Sequence, residues 1–484
     1  MEKSQKDITF IRKCVSDTLD GLRDGLAHFS GQCRTAVVYC ISRGSDMFIC
    51  DPQNLLHGHE PKLNKLYLED QTWRDIEIKP DRKKYALIYP EKNLELAGLI
   101  SYGGRSSSVY YQMWFTEHHP DVCSIGPIER WLEHSVLRLS HDIANESTLY
   151  TGISGTFLRE YATHAVRDHI IDEMNIHLGW DSQIRVYPIL DSILGISKTR
   201  EEGVWPWGEV LFIEPAFIED LLLLARFRRQ EQPQLDNHKH VCKLLLAVSE
   251  SGHKLVSDSK NIIGICGSSN LPEFTISADF RGWHGFLKVN QEKICSFSDG
   301  NFKSTTHKAK LVQFEELILE YDLDHSLGNT LFKTVASLVH HAENRRHGCT
   351  IVVDFNKNPV YISGQRLNPP LDLSQPHLME LAKSLLKVDG ALHVGIDINL
   401  HGFALLLDGR AIRGEDRSRG ARYNSALRFS AEHKNIIVIV VSADRPVSII
   451  QEGVDINSQC QFKPVTSCTF LPEKLEKWVF SSLE

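Results

Sequence analysis

The sequence predicts an α/β protein with a C-terminal mixed β-sheet flanked by helices, preceded by an α/β region and a β-rich connecting element. Three observations predict it. After residue 325, short apolar runs suited to buried strands alternate with stretches of helical periodicity. Between Cys242 and Gly300, Ser-Gly, Arg-Gly and Asp-Gly pairs punctuate β-rich runs as hairpins require. Before residue 230, apolar stripes at helical spacing alternate with β-branched and aromatic runs.

Taken in order, Ile8, Ile11, Val15, Leu19, Leu22 and Leu26 form one stripe, which predicts a helix over residues 5 to 30. Strands are predicted at Thr35–Ser42 and Lys84–Tyr89, with a polar connection holding His57 and His59. Ser101–Arg105 reads as a glycine turn and VYYQMWF after it as a strand. Within that turn Arg105 reads as a plain surface residue, with anion binding as the alternative. His118 and His119, beside Glu117 and Asp121, read as a polar loop before a helix at Ile128–Ile143. A metal site is the alternative there, as it is at His57 and His59. Helix is predicted at Phe157–Met174, strand at Ile184–Ile189, a turn and strand at Trp205–Pro215, and an apolar helix at Ala216–Arg228. The polar stretch Arg228–His240 marks a boundary. Hairpins then fill Cys242–Gly300, and Val312–Leu323 leads into a helix at Asn329–Asn344. Strands follow at Thr350–Asp354, Leu392–Ile398, Gly402–Leu407 and Ile436–Val441. The expected divisions are 1–235, 236–324, 325–460 and a tail at 461–484.

Length and composition narrow the function classes. A chain of 484 residues is long enough for two or three domains with sizeable cores. With 42% apolar residues, 24% charged residues and a net charge of −8, it reads as a soluble globular protein, and nucleic acid is not the expected partner. Eleven cysteines without a CxxC pair read as reduced, mostly buried thiols in a cytoplasmic protein. No apolar run approaches the roughly 20 residues that span a bilayer, and no signal peptide is visible at the start, so no membrane is expected.

The most informative stretch runs from Asp389 to Gly453. It holds an Asp-Gly-Ala turn, a strand-like run and a loop with six arginines between Arg410 and Arg428, followed by a helical segment and a buried strand. A triphosphate needs fixed cations and backbone N–H groups, and a helix that opens just after a glycine loop supplies donors and a favourable dipole. Gly420 allows close approach, and Arg422 can fork onto phosphate oxygens. A carboxylate such as Asp389 at a tight turn suits a metal that bridges phosphates. By composition alone the loop reads equally as a solvated charged hairpin.

These residues resemble the catalytic domain of diadenylate cyclases, the DAC or DisA-type nucleotide-binding family, whose DGA motif is followed by GTRHRxA. DGA stands here as Asp389, Gly390 and Ala391. The second motif is similar to Gly420, Ala421, Arg422, Tyr423, Asn424, Ser425 and Ala426, with Tyr423 and Asn424 in place of the family's His and second Arg. ENRRHGCTIVVDF, Glu343 to Phe355, is similar to the family's HGALIVIE strand. IVIVVSAD, Ile437 to Asp444, is similar to its VSEE strand end, with Ala443 at the first acid position. The resemblance covers residues 325 to 455. The first 240 residues resemble, in arrangement, the sensor-type regions that precede some bacterial DAC domains.

The resemblance implies a regulated enzyme that condenses two ATP into cyclic di-AMP and two pyrophosphates. It implies a homodimer or higher homo-oligomer with facing sites, and an unidentified small-molecule ligand for the N-terminal region. Asp389 and Arg422 would be catalytic. Gly390, Ala391, Gly420, Ala421, Tyr423, Asn424 and Ser425 would bind nucleotide, and Asp389 with Asp444 would hold Mg²⁺ or Mn²⁺. The alternative is a catalytically degenerate nucleotide sensor that regulates a partner.

Overall fold

In the computed structural model, which describes residues 2–481 except 32, 77–87, 120, 146–149, 250–251, 268–270, 307–310, 322, 346, 413–414, 416–418, 443–446 and 457–471, the first predicted helix runs Glu2–Ser30. Its stripe of Cys14, Val15, Leu19, Leu22, Leu26 and Phe29 is buried, as the spacing requires. The chain forms two units, Met1–Thr306 together with Pro464–Glu484, and His307–Lys463.

The first unit holds two sheets. One is antiparallel, in the order Glu473–Lys474, Phe48–Cys50, Thr35–Cys40, Tyr111–Glu117, Leu99–Arg105 and Tyr89–Glu91. Its outermost member comes from the C-terminal segment, whose helix Leu475–Ser481 buries Leu475 and Val479 in the same core. The other sheet has eight strands, from Asn301–Lys303 through the meander Glu292–Ser298, His284–Val289 and Ile276–Arg281 to Trp207–Phe212. There it turns parallel to meet Lys254–Ser257, and ends with Ile262–Cys266 and Leu223–Arg226. One continuous core joins helices Gly126–Ala144, Ala162–Leu178, Val186–Lys198 and His238–Ser249 to inner faces of both sheets.

Several local expectations are corrected. Ser101–Arg105 is not a turn but part of a strand; Gly103 and Gly104 are needed because a Cβ would meet Gln112 O at 2.5 Å and Val136 at 2.9 Å. Arg105 is accordingly only 2% exposed, ion-paired through Nε to Glu91 and facing the rings of Tyr110 and Tyr111. Ile184–Ile189 opens the helix Val186–Lys198, because Val186, Ile189, Leu190, Ile193 and Ile196 continue a helical stripe beyond the short apolar run. Ala216–Arg228 holds one helical turn, Pro215–Ile218, and then an edge strand whose partner Ile262–Cys266 overrides the local pattern. The run CKLLLAVS lies in a helix with Val241, Cys242, Leu245 and Val248 buried on one face. The helix expected at Phe157–Met174 is two, Ile153–Arg159 and Ala162–Leu178. Most of the strand expected at Lys84–Tyr89 lies outside the described residues. The stretch Arg228–His240 holds a single short turn, Arg229–Glu231, and the start of the next helix, within the first unit.

The second unit is a mixed seven-stranded sheet in the order Gln365–Asp372, Asn399–Leu405, Ala391–Gly395, Cys349–Asp354, Ile436–Val441, Ser448–Gln451 and Val454–Asp455. Among the described residues of this sheet, Cys349–Asp354 and Ala391–Gly395 pair in parallel and the other pairings are antiparallel. Three central strands are buried along their whole length, which their continuous β-branched and apolar runs allow. Helix His325–Arg345 contributes Leu331, Val335, Leu338 and Val339 to one layer, and helix Ala421–Glu432 contributes Ala426, Leu427 and Phe429 to the other. The fold is thus α/β with helices on the sheet faces.

Between the central strands Asp354 is wholly buried. His393 Nε2 donates to it at 2.9 Å, the backbone N–H of Val360 at 2.7 Å, and the backbone and side chain of Asn356 at 2.9 and 2.8 Å. Burial pushes the carboxyl up, but these donors outweigh it and hold its pKa below the ordinary value. Asp354→Ala should therefore destabilise the second unit by about 3 kcal/mol or more, because the donors lose their acceptor, whereas Asp354→Asn costs less; urea unfolding measures both.

In the first unit His134 stacks on Tyr161 with ring centroids 4.4 Å apart. Burial and the Arg138 charge push its pKa down from 6.5 to about 4. Below pH 6.5 the unfolded chain takes up a proton that the folded one refuses, so the stabilisation is full above that pH and is lost on descent towards pH 4. Urea unfolding of the first unit should lose roughly 2–4 kcal/mol across this window, and His134→Phe should flatten the loss.

Candidate functional site

The site forms where the parallel pairing aligns the starts of two strands. Thr350 lies opposite Ala391, so Gly348, just before one strand, and Asp389, just before the other, are neighbours. Cys349 pairs with Val441, which brings the end of the third central strand to the same edge. Helix Ala421–Glu432 packs its buried face against these strands and presents its first turn there.

Arg422 and Asp389 meet at this edge: the guanidinium Nη2 donates to Asp389 Oδ1 at 2.7 Å. Room for the arginine comes from Gly348, where a Cβ would stand 2.8 Å from Arg422 Nη1. The Asp389 side chain is 96% exposed and that of Arg422 47%. An ion pair so open to water stabilises a fold by only about 0–1 kcal/mol, so both charges can be redirected to a ligand.

Gly390 has φ +118°, and a Cβ on it would lie 2.5 Å from the Ala404 backbone, so only glycine fits this turn. Ala391 is buried at the first position of its strand. Gly420 caps the helix with φ +84° and open space around its Cα, and no side chain caps the N–H groups of the first turn. Those donors, with Ala421 exposed beside them, form an edge suited to an anion.

The remaining motif positions turn elsewhere. Tyr423 is partly buried against the core, its hydroxyl donating to Asp455 at 3.2 Å and its ring lying 3.9 Å from the Arg419 guanidinium. Asn424 is buried on the helix's inner side, and the Ser425 hydroxyl donates to the Arg422 carbonyl at 3.1 Å. Asp444, with Ala443 before it, lies outside the described residues. Among the described residues no group of three or more His, Cys, Asp and Glu side chains gathers as a metal site. The exposed Asp389 carboxylate is the donor here that could share a divalent ion with ligand phosphates, as Mg²⁺ sites do.

Sequence reasoning missed one contributor at the site, Arg419, and one pair that fixes the strand register away from it, Asp354–His393. Arg419 donates to the Ser448 hydroxyl at 2.7 Å and to Asp455 at 3.3 Å, bracing the helix start against the sheet edge. Its place beside Gly420 is a signal, but its partners lie in strands too short to read. The Asp354–His393 pair joins residues 39 apart, which only the strand register reveals.

Comparison with known proteins finds three family regions along the chain. Residues 337–454 match the family described as "DisA bacterial checkpoint controller nucleotide-binding" (DAC). Residues 9–180 match "Probable sensor domain DACND" and residues 187–295 match "Probable sensor domain DACNH". No curated protein matches the chain. Among solved structures, the chain is similar to a hypothetical membrane spanning protein from Bacillus cereus, at 23% identity over 25% of this chain and 60% of that one, with a TM-score of 0.22. The chain thus spans 60% of that relative's length. It is also similar to a double mutant of DacA from Staphylococcus aureus, at 17% identity over 26% of this chain and 84% of that one, with a TM-score of 0.21. Among the described residues no helix is long and apolar enough to cross a membrane. The chain carries a domain of the DisA-type nucleotide-binding DAC family at its C-terminal end, preceded by two probable sensor domains, DACND and DACNH.

Proposed function

We propose that the protein is a regulated diadenylate cyclase that turns two ATP into cyclic di-AMP and two pyrophosphates. The observation that carries this reading is the meeting of Asp389 and Arg422 beside an uncapped helix start. A carboxylate, a guanidinium and the N–H end of a helix that no side chain caps, at one open edge, are what positioning and charge stabilisation of phosphoryl transfer need. Two subunits face each other, since each ATP is both nucleophile and electrophile. Each 3′-oxygen bonds to the other nucleotide's α-phosphorus as the bond to the β-phosphate oxygen breaks and pyrophosphate leaves. The hydroxyl proton passes to water, and Asp389 stays an anion.

Arg422 leaves its resting partner to fork onto phosphate oxygens, and the N–H groups from Gly420 and Ala421 cradle the same charge. Gly390 and Ala391 hold the backbone behind Asp389, and Ser425 supports the helix start through the Arg422 carbonyl. Tyr423, braced by Asp455 and Arg419, takes the histidine's place, with Asn424 behind it. Asp389, with Asp444, would hold Mg²⁺ or Mn²⁺, which when bound neutralises phosphate charge. The DACND and DACNH regions supply control.

A second reading is a nucleotide sensor without turnover. Its support is that Tyr423 and Asn424 turn into the protein, which leaves Arg422 as the one exposed charge of the second motif.

Incubation of the full chain with ATP and Mn²⁺ or Mg²⁺, with products resolved by mass, separates the readings. Cyclic di-AMP is expected; retained nucleotide without product would favour the sensor. Asp389→Asn should abolish product while the melting temperature holds, and wild-type turnover in that variant would refute its role. Arg422→Ala should weaken ATP binding by roughly 1.5–3 kcal/mol in calorimetry.

A further inference from the structure

The first unit holds a cavity of about 490 Å³ that plays no part in the nucleotide site. It opens between the end of helix Ala162–Leu178, the segment after strand Trp207–Phe212 and the loop leading into strand Ile276–Arg281. His177 comes from residues matching one probable sensor domain, and Phe217, Asp220, Leu221, Glu273 and Phe274 from the other. Its volume falls within the range of about 300–1,000 Å³ typical of small-molecule sites.

The lining has one sign of charge. Asp220 and Glu273 are exposed and form no ion pair or hydrogen bond with a described residue. Arg226, the next arginine along the chain, is already held by Glu219 at 2.6 and 3.0 Å. His177 spends its Nδ1–H on the Glu173 carbonyl at 2.8 Å, and Asn290 lies 3.4 Å from its Nε2. The rest of the surface is apolar: Phe274 packs 5.7 Å from the His177 ring, Leu221 is nearly buried, and Phe217 is 40% exposed. Among the described residues no lysine or arginine lines the cavity.

We infer that this cavity binds a small organic ammonium with an apolar or aromatic body. Carboxylates without a described protein partner supply the counter-charge, the exposed Phe217 ring adds the attraction of its quadrupole for a cation, and the apolar floor, with buried Phe274 beneath it, takes the body. An anion would meet two like charges, and a neutral molecule would forgo the attraction that a cation gains from them. The inference rests on reading this region as the sensor, and the cavity's two sources give the ligand a hold on both probable sensor domains.

Binding is measured without catalysis, so this inference and the cyclase reading fail separately. The probes for calorimetry on the full chain are phenethylamine, phenethyl alcohol and phenylacetate, which share a body and differ in charge. Phenethylamine should bind about tenfold or more tighter than the alcohol, and phenylacetate should not bind. Asp220→Asn with Glu273→Gln should cost the amine about tenfold in affinity and leave the alcohol and the melting temperature unchanged. Equal binding of amine and alcohol, amine binding that the double variant does not change, or no amine binding at millimolar concentration would each overturn the inference.

Discussion

The parallel pairing of Cys349–Asp354 with Ala391–Gly395 is the constraint on which the C-terminal unit depends. It alone sets Gly348 beside Asp389, and so gives Arg422 both a space to occupy and a carboxylate to meet. A slip of one residue would exchange the faces of a strand that is buried throughout, which the core forbids. The Asp354–His393 bond adds a polar lock to that register, because a buried carboxylate with four donors has few other places to go. The site is thus a product of the sheet's interior, although its own charges stand in water.

Much of the site was legible because its pieces are local. Asp389-Gly390-Ala391 and the run from Gly420 to Ala426 are contiguous, and glycine at each turn is demanded by backbone geometry that a motif preserves. What was not legible is direction. A motif does not say that Tyr423 and Asn424 turn inward while Arg422 turns out; that follows from which helix face the apolar positions Ala426, Leu427 and Phe429 bury. Arg419 went unread for a related reason: its partners Ser448 and Asp455 sit in strands of four and two residues, too short for any period to show.

The first unit was harder to read because tertiary partners decide its ambiguous runs. Leu223–Arg226 becomes a strand only because Ile262–Cys266 offers an edge, and Gly103 and Gly104 serve close packing instead of a turn. The C-terminal segment repeats the lesson at longer range: Glu473–Lys474 is a strand because Phe48–Cys50 leaves an edge to pair. Residues 307–463 are therefore flanked in sequence on both sides by parts of the first unit, so the nucleotide-binding domain is an insertion between its segments.

The central claim is that Asp389 and Arg422 act together on one bound nucleotide. A double-mutant cycle on ATP affinity tests it most directly, with Asp389→Asn, Arg422→Gln and their combination. The account predicts that the double variant departs from the sum of the single losses by about 0.5–3 kcal/mol. Losses that add to within about 0.5 kcal/mol would mean that the two residues serve the ligand independently, or not at all, and would contradict it.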